Sequence, residues 1–139
     1  MFKSFKRIIS WLVIFQLTFF SSPYVWAQDI GSLALPQGGS VVSGQVNIDY
    51  AAVDRLNVNQ ASNQAVVNWQ SFNVGRDASV HFNQPGSKAS ILNKVLSGQS
   101  IINGKIYSNG RLFLINPTGI LTGPNSAIRA EGAVLSTLN

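Results

Sequence analysis

Residues that could carry out acid–base chemistry are few in this chain and are scattered along it. The carboxylates are Asp29, Asp49, Asp54, Asp77 and Glu131. No two of them share a short spacing that would place both on one face of a strand, as a general acid and its partner carboxylate require. The single histidine, His81, lies between Val80 and Phe82, so we expect it to face outward while both neighbours face inward. A β-helical carbohydrate-active enzyme is therefore disfavoured, and we predict no catalytic residue.

Motifs for other kinds of chemistry are also missing from the sequence. There is no cysteine, so neither a disulfide nor a thiolate metal site can form. The sequence has no Gly-x-Ser-x-Gly nucleophile elbow, no Gly-rich phosphate loop and no Gly-Gly-x-Gly-x-Asp calcium repeat. We predict that the chain needs neither a metal ion nor a cofactor.

The first residues have the order typical of a secretory signal peptide. Basic residues come first, a mostly apolar run covers residues 8–20, and a small side chain follows at Ala27. The apolar run is shorter than the roughly 20 residues that cross a membrane, which argues against an anchor. We therefore predict a signal peptide over 1–27, cleavage between Ala27 and Gln28, and a mature domain over 28–139.

The positive charge is not organised as a nucleic-acid surface. The formal net charge is +5, but part of it belongs to the basic start of the predicted signal peptide. The later basic residues are spaced almost evenly and are Arg55, Arg76, Lys88, Lys94, Lys105, Arg111 and Arg129. Nucleic-acid binding needs basic residues clustered in a run or on one face, so we predict no nucleic-acid partner.

Short apolar segments separated by turn signals fill the sequence after Gln28. They cover residues 40–46, 65–69, 79–82, 90–96, 100–107, 111–115 and 133–138. Asn-Gly, Asn-Pro and Gly-Pro pairs punctuate them, as is typical of turns. Such spacing allows a sandwich, a barrel or a solenoid, but the continuously apolar residues 112–115 favour a solenoid with a filled core. We therefore predict an all-β fold.

The two ends of this predicted solenoid differ. A Gly-rich turn precedes the alternating residues 40–49, which we expect to cap the amino-terminal end, because an uncapped end would pair with other chains. At the other end, residues 133–138 are apolar and uncharged. They predict an open edge and a solenoid that is incomplete at its carboxyl end.

The sharpest local signal is a four-residue turn after the strand at 111–115. Asn116 can bond its own backbone, Pro117 fixes φ at the second position and Gly119 closes the fourth, which is the pattern of a type I turn. An apolar strand resumes at Ile120. The turn should therefore bend the chain without closing a tight hairpin.

Two aromatic residues, Trp69 and Phe72, lie close together in the segment 66–75. They could form a platform for a ligand or seal the end of the core. Aromatic side chains at this spacing more often pack inside, so we favour the core.

Six blocks in a fixed order resemble the two-partner secretion (TPS) domain of the filamentous haemagglutinin, or haemagglutination activity domain, family. The blocks are residues 66–75, with Trp69, Phe72, Asn73 and Gly75, then residues 80–85, 92–95, 102–104, 109–117 and 119–120. The family's Asn-Pro-Asn-Gly-Ile box stands here as Asn116-Pro117-Thr118-Gly119-Ile120, with threonine for the middle asparagine. A type I turn accepts threonine there because φ stays negative, so the change bears on side-chain recognition more than on the turn.

The resemblance implies a right-handed parallel β-helix, a single-stranded solenoid without catalytic activity. It implies a secretion and targeting module of a large exported bacterial exoprotein of the adhesin, haemagglutinin or contact-dependent toxin class. The implied partner is an outer-membrane β-barrel transporter with periplasmic recognition domains, and the residues of the two blocks around Trp69 and Asn116 are the implied recognition or family motifs.

The resemblance also implies passage through the periplasm, followed by secretion or retention at the outer-membrane surface. Regions further downstream would then meet a host cell or a neighbouring cell. Because such domains usually extend further, we expect this chain to be truncated. The sequence leaves one alternative open, a stand-alone surface adhesin or structural β-helix fragment that sticks through pairing of strand edges.

Overall fold

All regular structure in the described part of the chain, residues 30–138, consists of β-strands. The computed structural model contains twelve of them: β1 (Ser40–Ser43), β2 (Val46–Ala52), β3 (Arg55–Gln60), β4 (Gln64–Trp69), β5 (Ser79–Asn83), β6 (Ser90–Val95), β7 (Ser100–Ile102), β8 (Lys105–Ser108), β9 (Arg111–Ile115), β10 (Ile120–Thr122), β11 (Ala127–Arg129) and β12 (Gly132–Ser136). The predicted signal peptide and its cleavage site between Ala27 and Gln28 lie outside the described residues.

The strands wind into a solenoid with three sides. The first side is formed by β2, β3, β5, β8 and β11, the second by β1, β4, β6, β9 and β12, and the third by β7 and β10. Residues 72–74 extend the third side through a bridge between Val74 and Ile102. From β3 onward, every pairing joins strands one turn apart and is parallel. The result is a β-solenoid of about 4 turns, so the predicted fold class is confirmed.

The core forms because inward positions alternate with outward ones along each strand. In β9, Leu112 and Leu114 are buried while Phe113 between them is only partly covered. The apolar run at 112–115 therefore supplies both the core and the outer surface. The other strands contribute Leu56, Val58, Ala65, Val67, Val80, Phe82, Ile91, Val95, Ile102 and Ile106 to the same core. Because apolar side chains of successive turns stack, the interior is filled along its length.

The amino-terminal strands close the solenoid with reversed direction. β1 runs antiparallel to β4, and β2 runs antiparallel to β3. Val46 and Ile48 of β2 pack against the core from this end. Gly44, with a φ of 84°, turns the chain between the two strands, which lie on different sides. The predicted cap over 40–49 is therefore confirmed, as two strands and not as one.

The predicted strand pattern is wrong in one segment and omits two strands. The segment 100–107 is not one strand, because a corner at Asn103 and Gly104 sends β7 to the third side and β8 to the first. The sequence pattern also does not predict β3 or β11. Asparagines alternate with Leu56 and Val58 in β3 and suggest turns, and β11 is only 3 residues long.

The corner between the third and first sides requires glycine. The N–H of Gly104 donates to the carbonyl oxygen of Val74 in the preceding turn at 3.1 Å. A Cβ atom at position 104 would overlap the carbonyl oxygens of Gly75 and Ala78. The backbones of successive turns therefore approach each other here more closely than a side chain would allow.

The last turn of the solenoid has an open edge. β10, β11 and β12 pair with the preceding turn, and Leu135, which pairs with the buried Leu114, remains 38% exposed. The open edge expected at 133–138 is thus present in the described residues. No helix within residues 30–138 has the length and apolarity needed to cross a membrane.

Candidate functional site

The turn after β9 has the geometry that the sequence predicts. The N–H of Gly119 donates to the carbonyl oxygen of Asn116 at 3.0 Å, which closes a four-residue turn. The N–H of Thr118 donates to Asn116 Oδ1 at 3.0 Å, so the asparagine side chain supports the turn from within. Thr118 keeps a negative φ, and Gly119 adopts a φ of 130°, which suits glycine.

Asn116 also fastens this turn to its neighbours on both sides. Its side chain is fully buried, and Nδ2 donates to the Gly98 carbonyl oxygen and to Ser100 Oγ, both at 2.9 Å. Its N–H donates to the carbonyl oxygen of Ser136 in the following turn at 2.9 Å. One residue therefore connects three turns of the solenoid and holds the loop in a single conformation.

The side chains at the tip of the turn point to solvent. Pro117 and Thr118 are exposed, while Gly119 and Ile120 are partly covered. Ile120 pairs with Ser100 where β10 lies against β7 on the third side. Of the five residues in this block, Pro117 and Thr118 are therefore the ones that a partner protein can touch most directly.

The second block of predicted site residues starts in the core. Trp69 and Phe72 are buried, with 0% and 1% exposure, and their rings meet edge to face with centroids 5.7 Å apart. Trp69 Nε1 donates to Asn93 Oδ1 at 2.9 Å, and Asn93 Nδ2 donates to the Phe113 carbonyl oxygen at 3.2 Å. These aromatic residues therefore belong to the core, as the sequence favours, and do not form a ligand platform.

The other two residues of this block hold the third side together. Asn73 Oδ1 accepts a hydrogen bond from the N–H of Ile101 at 2.9 Å. The N–H of Gly75 donates to the Ala34 carbonyl oxygen at 2.9 Å, and a Cβ atom on Gly75 would overlap the backbone of Ser32. The block thus joins the first turn both to the second turn and to the amino-terminal segment.

Phe72 and Asn73 of one block lie on the third side in the first turn, Ile120 of the other lies on the same side two turns later, and Trp69 lies in β4 on the second side. Residues 72–74 are bridged to β7, and β7 is paired with β10. The exposed turn 116–119 leads directly into this side. We call the stacked residues 72–74, β7, β10 and the turn 116–119 the third-side site.

Sequence reasoning includes one polar partner that supports these blocks, Asn93 in the block 92–95, and misses the other, Ser100. Asn93 and Ser100 are both completely buried. Asn93 accepts the hydrogen bond from Trp69, and Ser100 accepts one from Asn116. None of the sequence motifs contains Ser100. A signal for Asn93 exists, because it takes an inward position in the alternating strand β6. The position of Ser100 beneath Asn116 depends on which residues of successive turns face each other, and this register is not a local property.

The residues considered for acid–base chemistry stay apart. His81 faces outward, as predicted, and its ring lies against Tyr107 with centroids 4.9 Å apart. Burial and, to a lesser degree, the positive charge of Arg55 lower the pKa of His81. Within residues 30–138 no three histidine, aspartate or glutamate side chains come together as a metal site.

The comparison with known families gives one match over most of the chain. Residues 32–139 match the model of the TPS secretion domain. The solved structure of the HMW1 secretion domain from Haemophilus influenzae is similar, with a TM-score of 0.71 and 32% identity. That match covers 75% of this chain and 28% of the HMW1 chain.

Curated relatives are similar over much of this chain as well. A heme/hemopexin-binding protein of Haemophilus influenzae is 34% identical over 103 residues, which are 73% of this chain and 11% of that protein. The heme/hemopexin-binding protein of the Rd strain is 30% identical over 132 residues, which are 94% of this chain and 14% of that protein. The chain therefore spans only a small fraction of the length of these relatives.

Proposed function

The chain belongs to the TPS secretion domain family, and from this premise we propose that a cognate outer-membrane β-barrel transporter recognises it through periplasmic domains. Its function as a secretion domain follows from family membership and from the similarity to a solved secretion domain. The contact surface that we propose is the third-side site. Exported in this way, the protein would pass through the periplasm and be secreted or remain at the outer-membrane surface.

The observation that carries this proposal is the rigid presentation of Pro117 and Thr118. Both side chains are exposed, while Asn116 beneath them is completely buried and makes three side-chain hydrogen bonds. A loop that is already held in one conformation loses little conformational entropy when a partner binds. An exposed tip on a fixed base is therefore well suited to recognition.

The residues of the site have different proposed roles. Pro117 and Thr118 contact the transporter, and Asn116, Gly119 and Ile120 hold the turn and the strand that follows it. In the other block, Trp69, Phe72, Asn73 and Gly75 act indirectly, because they hold the third side in shape. Substitutions in that block should affect recognition only to the extent that they affect folding.

A charge placed at the tip of the turn tests the contact. Thr118→Arg keeps the negative φ and the exposed position but adds a long cation where a close contact is proposed. We expect the dissociation constant for the purified periplasmic domains of the transporter to rise by at least about tenfold, a typical effect at a binding hot spot. Secretion into the medium with the transporter co-expressed should fall in parallel.

Asn125→Arg is the matched control, because Asn125 is also exposed in a turn of the solenoid, one corner further along the chain. This variant should bind and be secreted like the unmodified chain. Thr118→Asn, which restores the family's own residue, should bind at least as tightly as the unmodified chain. The proposed contact would be refuted if Thr118→Arg and Asn125→Arg bound the periplasmic domains with the same dissociation constant, or if Thr118→Arg were exported normally.

The processing site is a second proposal about export. We propose that residues 1–27 are removed as a signal peptide and that the exported protein begins at Gln28. The basic start and the apolar run before Ala27 support this assignment. Amino-terminal sequencing of protein recovered from the medium should give Gln28 first, and a product that retains residues 1–27 would contradict it.

Partners other than the transporter would be bound by parts of the whole exported protein that lie outside this domain. The curated relatives are binding proteins that are far longer than this chain. We propose that the secretion domain itself is not catalytic, and that contacts with a host or neighbouring cell are made by regions of the exported protein outside this domain. A stand-alone adhesin predicts instead that the isolated chain binds cells without other regions.

A further inference from the structure

A continuous column of apolar side chains runs along the outer face of the second side. Val66, Leu92, Phe113 and Val134 follow one another in register across β4, β6, β9 and β12. Residues that pair in register in adjacent strands point to the same face. Their neighbours along the strands, such as Ile91 and Leu112, are buried, so the column faces outward. We call these four residues the apolar stripe.

The apolar stripe is flanked by positive charge on both sides. Lys94 lies two residues after Leu92 in β6, and Arg111 lies two residues before Phe113 in β9, so both share the outer face. Both are exposed. The ion pair found among residues 30–138 joins Arg76 and Asp77, so neither flanking cation is neutralised. None of the outward positions on this side is a carboxylate.

A shallow groove lies beside the apolar stripe. It has a volume of about 340 Å³ and is lined by Ser43, Gln64, Ala65, Val66, Ser90, Leu92 and Phe113. The small side chain of Ser90 separates two larger neighbours, Gln64 and Arg111, in the same column. The groove therefore gives a partner room to settle against the apolar side chains.

We propose that the apolar stripe binds an amphipathic α-helix whose apolar face is bordered by acidic side chains. Successive members of the stripe are about 4.8 Å apart, the distance between paired strands. Successive turns of an α-helix are about 5.4 Å apart, whereas alternate residues of a strand are about 6.7 Å apart. A helix lying along the solenoid axis therefore matches the spacing of the stripe better than an extended peptide does.

The flanking charges favour this occupant over the two other candidates. A second copy of the same face would bring Lys94 and Arg111 towards identical cations with no carboxylate at the outward strand positions to offset them, which is unfavourable. An anionic membrane would attract the cations, but Leu92 and Phe113 lie partly covered within the sheet face and do not protrude into an acyl layer. Glutamates on both flanks of a helix would pair with both cations while its apolar residues cover the stripe.

A nuclear magnetic resonance titration tests the proposal with a defined probe. The probe is a synthetic helical peptide of about 14 residues, with leucines at alternating spacings of three and four residues and glutamates on both flanks. Added to the isotope-labelled exported chain, it should shift the amide signals of β6 and β9 and leave those of β5 and β8 unchanged. A peptide with lysines in place of the glutamates should bind at least about tenfold more weakly.

Paired variants locate the binding surface. Phe113→Ser should raise the dissociation constant of the glutamate peptide by at least about tenfold. Tyr107→Ser is its control, because Tyr107 is a partly exposed aromatic residue on the outer face of the first side. The double variant Lys94→Glu and Arg111→Glu should also weaken binding, whereas Lys105→Glu with Arg129→Glu on the first side should not. The charge variants keep the test valid if Phe113→Ser fails to fold.

Several results would overturn the proposal. Equal binding of the glutamate and lysine peptides, or no binding of either, would exclude an acidic helix as the occupant. Flotation of the chain with phosphatidylglycerol vesicles in a manner that requires Phe113, without peptide binding, would assign the stripe to a lipid surface. A concentration-dependent dimer that Phe113→Ser abolishes would assign it to a second copy.

Discussion

Buried amide side chains fasten one turn of this solenoid to the next, and one of them is incompletely bonded. Gln84 accepts a hydrogen bond at Oε1 from the hydroxyl of Ser108 in the next turn. Gln60 takes the same position one turn earlier, but its buried Oε1 has no partner among the described residues. The register explains the difference. Ser108 pairs with Phe82, so Phe82 stands towards Gln60 where Ser108 stands towards Gln84, and a phenylalanine side chain cannot donate a hydrogen bond. The fit between turns therefore depends on single residues.

Removing the amide at the base of the exposed turn should destabilise the whole chain. Asn116→Ala leaves Ser100 Oγ, the Gly98 carbonyl oxygen and the Thr118 N–H without this partner. We expect the free energy of unfolding to fall by about 1–3 kcal/mol, the range for a buried polar group left unbonded. Urea denaturation followed by circular dichroism measures it.

Asn125→Ala is the control for that measurement, because Asn125 is exposed in a neighbouring turn. Its effect should stay within about 0.5 kcal/mol, as for most surface substitutions. A similar loss of stability in both variants would mean that the hydrogen bonds of Asn116 are not the cause.

The lowered pKa of His81 makes stability depend on pH in a definite direction. Burial and Arg55 lower the pKa of His81 in the folded state from the ordinary value of 6.5. Below that value the unfolded chain binds more protons at this position than the folded chain does, so stability falls as the pH drops. The loss should be small, because much of the ring is in contact with water.

The variant His81→Gln isolates this contribution from the carboxylates that titrate at lower pH. Urea denaturation at about pH 7.5 and about pH 5.5 brackets the ordinary pKa of histidine. The unmodified chain should lose slightly more stability across this interval than His81→Gln does. An equal loss in both would contradict the assignment to His81.

At the scale of elements, the corners show why parts of this fold can be predicted and others cannot. The turn at 116–119 is correctly predicted because Asn116, Pro117 and Gly119 act within four residues. The Asn-Gly pair at Asn103 and Gly104 signals a turn, but it does not predict that the chain passes there to another side of the solenoid, because that tight corner depends on the carbonyl oxygen of Gly75 in the preceding turn. Interactions between turns join residues far apart in the sequence, and local patterns do not reveal them.

The strand β3 shows a related limit of sequence reasoning. Its outward asparagines resemble turn residues, but Asn83 Nδ2 donates to Asn59 Oδ1 at 2.8 Å, between paired positions of β5 and β3 in adjacent turns. Stacking between equivalent positions therefore allows asparagine in a strand. The inward positions Leu56 and Val58 carry the correct signal, alternation of apolar and polar residues. The alternation predicts a strand, but the asparagines at its outward positions suggest turns instead.

A methyl group at the corner between the third and first sides should be poorly tolerated. Gly104→Ala places a Cβ atom against backbone carbonyl oxygens that cannot move without shifting the preceding turn. We expect a loss of about 1–3 kcal/mol in the free energy of unfolding, as for other overpacked sites. Gly86→Ala is the control, since an added Cβ there meets nothing within 4 Å. Equal stability of the two variants, measured by thermal and urea denaturation, would refute the tight corner.

At the scale of the whole molecule, stability should be graded along the solenoid axis. Each turn contacts only the turns beside it, so interior turns have two stacking partners and the last one described has one. The strands β6 and β9 are paired with a neighbouring strand along both edges, whereas β10, β11 and β12 are paired along one edge.

Hydrogen exchange should reveal this gradient residue by residue. Amides of β6 and β9 should exchange slowest, and those of β10, β11 and β12 in this chain should exchange fastest among the strands that pair in parallel. Mass spectrometry of peptic fragments measures the order. Uniform protection from β3 to β12 would show that the solenoid opens as one unit and not turn by turn.

The buried indole of Trp69 makes the intrinsic fluorescence of this chain a probe of whether its first two turns are stacked. Trp69 is the only tryptophan among residues 28–139, and its Nε1 finds its acceptor in Asn93, which belongs to the next turn. Fluorescence emission should therefore be blue-shifted in the wound chain and red-shifted in the unwound one, because the indole leaves water when the turns stack. Without an added label, the wavelength of maximum emission would distinguish an unwound chain from one whose first two turns have closed.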